Sequence, residues 1–342
     1  MKIILLAISI FLFKLSFGQS SSFKLFLIGD TGEDMVLQST MNAFLDTISL
    51  YPNSATVFLG DNSYKGLRKG FDSSKRTINR LGAQLIGLDR AKYEGSVYFI
   101  PGNHDWWNVT NMRKGKRHLK MEESYIESNL SKNQFIRNKN TPFMPMNGNP
   151  IADVDLNDNQ LKLIFLDTQW LIIQKNDNER SKVYSKLDSL LTNAISHNQK
   201  IVVAAHHPIY TIGKHSKKRR WQFPKFLKDQ DIYHPSYNDM RMRIEKIFLE
   251  KDYPIVYASG HDHLLEYFQM KKVQYIVSGA GSKSNQYNKK KHQDFNLPFK
   301  EILSENQFAK VNEGYFEIDY GDIVSLKAVV YEVTPVEYRL EK

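Results

Sequence analysis

Six short apolar runs, each four to six residues long, lead within two residues to Gly, Asp, Asn or His, and this pattern limits what the chain can fold into. Phe23 to Ile28 runs into Gly29-Asp30, Ala55 to Leu59 into Gly60-Asp61, and Val97 to Ile100 through Pro101 into Gly102-Asn103-His104. Leu161 to Leu166 is followed by Asp167-Thr168, Ile201 to Ala205 by His206-His207, and Ile255 to Ala258 by a segment containing Gly260-His261-Asp262-His263. Their β-branched and aromatic content and their length are those of buried strands. Helical patterns over Met35 to Ser49, Lys75 to Leu88, Val183 to His197 and Met240 to Lys251 separate them. A last block, Tyr275 to Val277, Tyr315 to Tyr320 and Ile323 to Val333, reads as strand pairs with a turn at Gly321-Asp322. The chain is therefore expected to be a layered α/β protein, whose functional groups gather in loops past the carboxyl ends of its strands.

Two polar stretches interrupt the pattern, Trp106 to Asn159 and Thr211 to Asp239, and are read as long loop insertions, because motifs of the same kind lie on both sides of each. The start is read as a signal peptide over residues 1–18: Lys2, an apolar run from Ile3 to Phe13 broken only by Ser9, then Ser16-Phe17-Gly18. Lys14 makes that run too short to span a bilayer, and no later segment is long enough, so no membrane span is expected after cleavage. The chain has no cysteine, which excludes disulfides, thiolate metal sites and thiol nucleophiles. Any metal must be held by His, carboxylate, amide or phenolate. The formal charge of +10 is concentrated at Arg113 to Lys120, Lys214 to Arg220 and Lys289 to Lys291, read as solvated loop surface; with no nucleic-acid-binding pattern beside them, a small anionic substrate is the expected partner.

Taken singly, Asp30, Asp61, Asn103, His206, His261 and His263 are ordinary turn formers or structural histidines. Together they place oxygen and imidazole donors at five of the six strand ends. That is more than one catalytic zinc uses, and it suits two cations about 3.5–4 Å apart, as in-line displacement at phosphorus employs. Tyr64, three residues beyond Asp61, reads equally as a further ligand or as a packed aromatic. A phenol with a pKa near 10 becomes a ligand at neutral pH only toward a strongly acidic cation such as ferric iron.

GDTG at 29–32, GDNSY at 60–64, GNHD at 102–105, VAAH at 203–206 and GHDH at 260–263 resemble, in order, the motif blocks of purple acid phosphatases among the calcineurin-like metallophosphoesterases. AAHHPIYTIGKH at 204–215 and the segment at 260–283 bring the resemblance nearest to the tartrate-resistant, mammalian-type enzymes. The resemblance spans about residues 23–335 and implies a single four-layer α/β/β/α sandwich interrupted at about 106–159 and 211–239. It implies that Asp30, Tyr64 and His263 hold a ferric ion, that Asp61 bridges, and that Asn103, His206 and His261 hold a divalent iron, zinc or manganese ion. Gly32 stands where many other metallophosphoesterases have a histidine ligand, which favours the purple branch. His104 and His215 match histidines that bind phosphate and assist the leaving alkoxide, and His207 and Asp105 are read as outer partners of the ligands. Unlike mammalian members, this chain has no cysteine, and 112–159 and 216–239 do not align.

The expected function is an exported acid phosphatase, periplasmic or secreted, in which a metal-bound hydroxide hydrolyses small phosphomonoesters. The alternatives are a phosphodiesterase or nucleotidase of the same superfamily with two manganese or zinc ions, and a binding protein with a vestigial site. Oligomeric state is left open by the sequence.

Overall fold

Phe23–Ile28 forms the first strand, β1, and its alternation already defines two apolar layers. Phe23, Leu25 and Leu27 join one buried cluster, whereas Phe26 and Ile28 join another. A strand covered on both faces needs this near-continuous hydrophobicity, and each fully buried Leu, Ile or Phe side chain contributes roughly 1.5–3 kcal/mol.

The computed structural model describes residues 22–33, 39–64, 75–107, 111–216, 230–284, 308–310, 312–321, 324–331 and 336–340. The expected signal segment, the basic run at 289–291 and residues 217–229 lie outside them. After β1 come α1 (Ser39–Ile48), β2 (Ser54–Phe58), α2 (Lys75–Arg90), β3 (Ser96–Phe99), α3 (Met112–Leu130), β4 (Ile151–Leu156), β5 (Leu161–Leu166), α4 (Thr168–Ile173) and α5 (Asp177–Ser196). Then follow β6 (Lys200–Ala205), α6 (Pro235–Glu250), β7 (Ile255–Ser259), β8 (Leu265–Met270), β9 (Val273–Ser278), β10 (Phe308–Lys310), β11 (Glu313–Tyr320), β12 (Val324–Tyr331) and β13 (Val336–Leu340).

The strands make two mixed sheets, ordered β13-β12-β11-β1-β2-β3 and β10-β8-β9-β7-β6-β5-β4. β1, β2 and β3 are parallel, as are β5, β6, β7 and β9. Leu25, Leu27 and Val57 of the first sheet share one cluster with Leu163, Val202, Ala258 and Ile276 of the second, so the sheets face each other. Phe44 and Leu85 from α1 and α2, and Leu187 and Ile244 from α5 and α6, cover the outer faces. Four layers result, as expected, and the parallel strands bring their carboxyl ends to one edge.

The two insertions are not the plain loops that were expected. Between 106 and 159 the chain builds α3 and β4, and β4 pairs antiparallel with β5 as an edge strand. Helix α3 is capped by Asn111, whose side chain accepts from the Lys114 N–H at 3.1 Å. Its inward face is Gly115, His118, Leu119, Glu122, Glu123, Ile126 and Leu130, a helical spacing that polar residues hide from a search for apolar periodicity. The basic run at 113–120 is consequently the solvated side of a helix, not a loop. In the second insertion, α6 begins at Pro235, five residues before the apolar pattern starts.

Gly115 shows how closely α3 is held. A Cβ there would lie 2.0 Å from Cε3 of the fully buried Trp106. Alanine is ordinarily better than glycine inside a helix by about 1 kcal/mol. Gly115→Ala is nevertheless expected to destabilise, by about 1–3 kcal/mol of overpacking. The midpoint of thermal unfolding checks this, and a rise would show that α3 does not seat on Trp106.

Candidate metal centre

The strand ends turn abruptly into the site. Asp30, Asp61 and His261 have φ of 58°, 53° and 72°, left-handed conformations that cost non-glycine residues on the order of 1–3 kcal/mol and persist where the surroundings enforce them. Glycine is required beside them: a Cβ on Gly102 would lie 2.3 Å from Asp61 Oδ1.

His206, His261 and Asn103 form the first group. Asn103 Oδ1 lies 3.0 Å from His206 Nε2 and 3.0 Å from His261 Nδ1. The opposite nitrogens are committed: His206 Nδ1 donates to Leu59 O at 2.8 Å and His261 Nε2 donates to Gln230 O at 3.0 Å. Carbonyls only accept, so a neutral imidazole with its proton there presents a bare lone pair on the other side. Burial, then the neighbouring His215, His207 and His206, hold His261 well below the usual imidazole pKa, and therefore neutral. Three lone pairs thus converge without a proton between them, which is the donor set of a cation.

Asp30, Tyr64 and His263 form the second group. Tyr64 Oη donates to Asp30 Oδ1 at 2.7 Å and lies 2.9 Å from His263 Nε2, which is 3.4 Å from Asp30 Oδ1. Burial and then Asp30 push the Tyr64 phenol well above its ordinary pKa, so without a cation it keeps its proton. Burial opposes ionisation of Asp30, but the hydrogen bond with His263 leads the opposing contributions and the net direction is below the ordinary carboxyl pKa. Asp61 joins the groups: Asp30, Asp61 and His206 each offer an atom within 4.8 Å of the others. His206, His207 and His261 are similarly close, but both His207 nitrogens are occupied, by Thr168 Oγ1 and Gln230 Oε1 at 2.8 Å each. His207 therefore props the cluster from behind.

The two remaining expected residues flank the cluster. His104 donates its backbone N–H to Asp61 Oδ1 at 2.9 Å and packs edge-on against Tyr64, its side chain 30% exposed. The His215 ring lies 4.2 Å from that of His261, and its Nδ1 donates to Asp231 Oδ1 at 3.1 Å. Burial lowers the His215 pKa, but Asp231 and then Asp262 favour the imidazolium and the net direction is upward. The nine residues expected to hold metal or to act on phosphate and leaving group thus meet at one edge of the sandwich.

Asp231, Gln230 and Glu122 were not singled out from the sequence, whereas Asp105 was expected as an outer partner. Asp231 and Gln230 come from the unaligned second insertion, and Gln230 serves both His261 and His207. Asp105 accepts from the N–H groups of Gly102 and Ser63 at 2.7 and 3.1 Å, which ties the Asn103 loop to the Asp61 loop. Glu122 of α3 accepts from Asn62 Nδ2 at 3.1 Å, and burial raises its pKa to about 8. The Ser278-Gly279-Ala280-Gly281 turn packs against the site, where a Cβ on Gly279 would lie 2.9 Å from Asp30 Oδ2.

A model of the calcineurin-like phosphoesterase family matches residues 23–265. No curated protein matches the sequence. Among solved structures, GAP50, the anchor in the inner membrane complex of Plasmodium, superposes with a TM-score of 0.58 at 16% identity over 94% of this chain and 90% of that one. A dimetal phosphatase from Danio rerio gives 0.53 at 10% identity, covering 93% of this chain and 98% of its own. A purple acid phosphatase from yellow lupin gives 0.56 at 13%, over 94% of this chain and 54% of the lupin one. At such identities the likeness is one of fold, and the fold implies a dimetal centre that the Asp and His clusters suit. The chain belongs to the calcineurin-like phosphoesterases, a superfamily of metal-dependent hydrolases.

Proposed function

We propose that the protein is an exported phosphomonoesterase of the purple acid phosphatase type, nearest the tartrate-resistant enzymes. The reading is carried by Tyr64, whose hydroxyl lies within 2.7 Å of Asp30 and 2.9 Å of His263, where a phenolate ligand belongs. Asp30, Tyr64 and His263 would hold ferric iron, Asp61 would bridge, and Asn103, His206 and His261 would hold a divalent iron, zinc or manganese ion. Bound, the pair supplies Lewis acidity toward the phosphoryl oxygens and activates a water. His104, half-buried at the mouth, would bind phosphate. His215 would protonate the departing alkoxide from Nε2, its Nδ1 being committed to Asp231. Export rests on residues 1–18 alone; among the described residues no helix is long and apolar enough to cross a membrane.

Colour tests this reading. The purified iron-loaded protein is expected to be violet to pink through charge transfer from phenolate to iron, and Tyr64→Phe is expected to bleach the band while retaining iron. A colourless, iron-loaded, active protein would falsify it. Faster hydrolysis of bis-p-nitrophenyl phosphate than of the monoester would instead mark a diesterase.

A further inference from the structure

Lys283 stands just past the Gly279–Gly281 turn, and its ammonium lies 3.3 Å from the centroid of the Tyr64 ring. Two contacts keep it there. Its Nζ donates to Glu33 Oε2 at 3.1 Å, and Glu33 is tied to the same loop by its own N–H, which donates to Ser282 Oγ at 3.2 Å. Ser282 in turn donates its hydroxyl to the Asp30 carbonyl. Loop, ammonium and phenol ring are thus one braced unit, with the Lys283 side chain 31% exposed.

We infer that Lys283 tunes the electron donation of Tyr64, an inference that rests on the proposed role of Tyr64 as an iron ligand. An ammonium against the face of an aromatic ring is attracted by its π electrons and lowers their energy. A phenolate so held is a weaker donor, which leaves the metal facing it more electrophilic. The charge sits against the ring itself, so it lowers the donor orbital more than the acceptor beyond the hydroxyl, and the charge-transfer band moves to shorter wavelength.

The visible spectrum of the iron-loaded full chain tests this. Lys283→Met removes the charge while keeping a flexible apolar stem, and its band is expected to shift red by on the order of 20 nm. Lys283→Arg restores a cation over the ring and is expected to keep the original band within a few nm. A coloured Lys283→Met protein with an unshifted maximum overturns the inference, even if its KM rises, since a pure substrate contact would move KM alone. A red shift shared equally by Lys283→Arg also overturns it, because charge would not then be the cause. If the parent protein binds iron without colour, the underlying role of Tyr64 fails instead.

Discussion

Asp61→Ala is expected to lower the hydrolysis of p-nitrophenyl phosphate by at least about a thousandfold, well beyond the 10–100-fold typical of an outer partner of a metal ligand. Asp61 reaches both donor groups: it lies within 4.8 Å of Asp30 and His206 donors, and its Oδ1 is 3.4 Å from His206 Nε2. It also accepts the His104 N–H at 2.9 Å, so its loss removes a tie to the loop that carries His104, the proposed phosphate-binding residue. A structural aspartate would make a different prediction. Without metal, Asp61 adds negative charge beside the buried Asp105, whose carboxyl is pushed well above its ordinary pKa by burial, then by Glu122 and Asp61. Removing Asp61 should therefore leave the thermal midpoint of the chelator-treated protein unchanged or higher, while the stabilisation that metal gives the parent protein disappears. Metal content, turnover and the two midpoints decide. Activity within tenfold of the parent, or a lower midpoint in chelator, would show that Asp61 supports the fold and not a metal.

The strand ends were legible because two independent demands fall on the same residues. A buried strand writes itself as a continuous apolar run, and its end as the polar residue that stops the run; here that residue is also a candidate ligand. Hence Phe23 to Ile28 and Leu161 to Leu166 coincide with strands β1 and β5, and the donors that follow the parallel strands converge. Tyr64 was open in the sequence because its partner His263 is 199 residues away and no spacing rule links them. Helix α3 was unreadable because its inner face spends His118, Glu122 and Glu123 on hydrogen bonding and packing in place of apolar contact. Short α4, capped by Asp167, follows the one of the six apolar runs whose end was not read as a ligand; Asp167 accepts from the Trp170 N–H at 2.9 Å and from Trp106 Nε1. Glu33 and Lys283 meet across 250 residues, and Asp231 reaches His215 from a segment without periodicity. Only three-dimensional closure brings such groups together.

Asp231→Asn is expected to act through the leaving group. His215 is held at two points: its backbone N–H donates to Asp262 Oδ1 at 3.2 Å, and its Nδ1–H donates to Asp231 Oδ1 at 3.1 Å. The carboxylate can only accept, which assigns one proton to Nδ1 and leaves Nε2 to carry the proton that is given away. An asparagine amide can donate instead, turning the imidazole to the other tautomer without changing the shape of the pocket. An alkyl phosphate releases a strongly basic alkoxide that needs this proton, whereas p-nitrophenolate leaves without it. Turnover of an alkyl phosphate should therefore fall about 100-fold, the low end of what a general acid contributes. Turnover of p-nitrophenyl phosphate should change by less than about fivefold, since leaving-group protonation adds little there. KM should move little for either, because in the proposed function phosphate is assigned to His104. Asp231→Glu, which restores an acceptor, should recover part of the alkyl phosphate activity. Equal losses on both substrates would mean that Asp231 merely closes the end of the insertion over His261, and that His215 is not the proton donor.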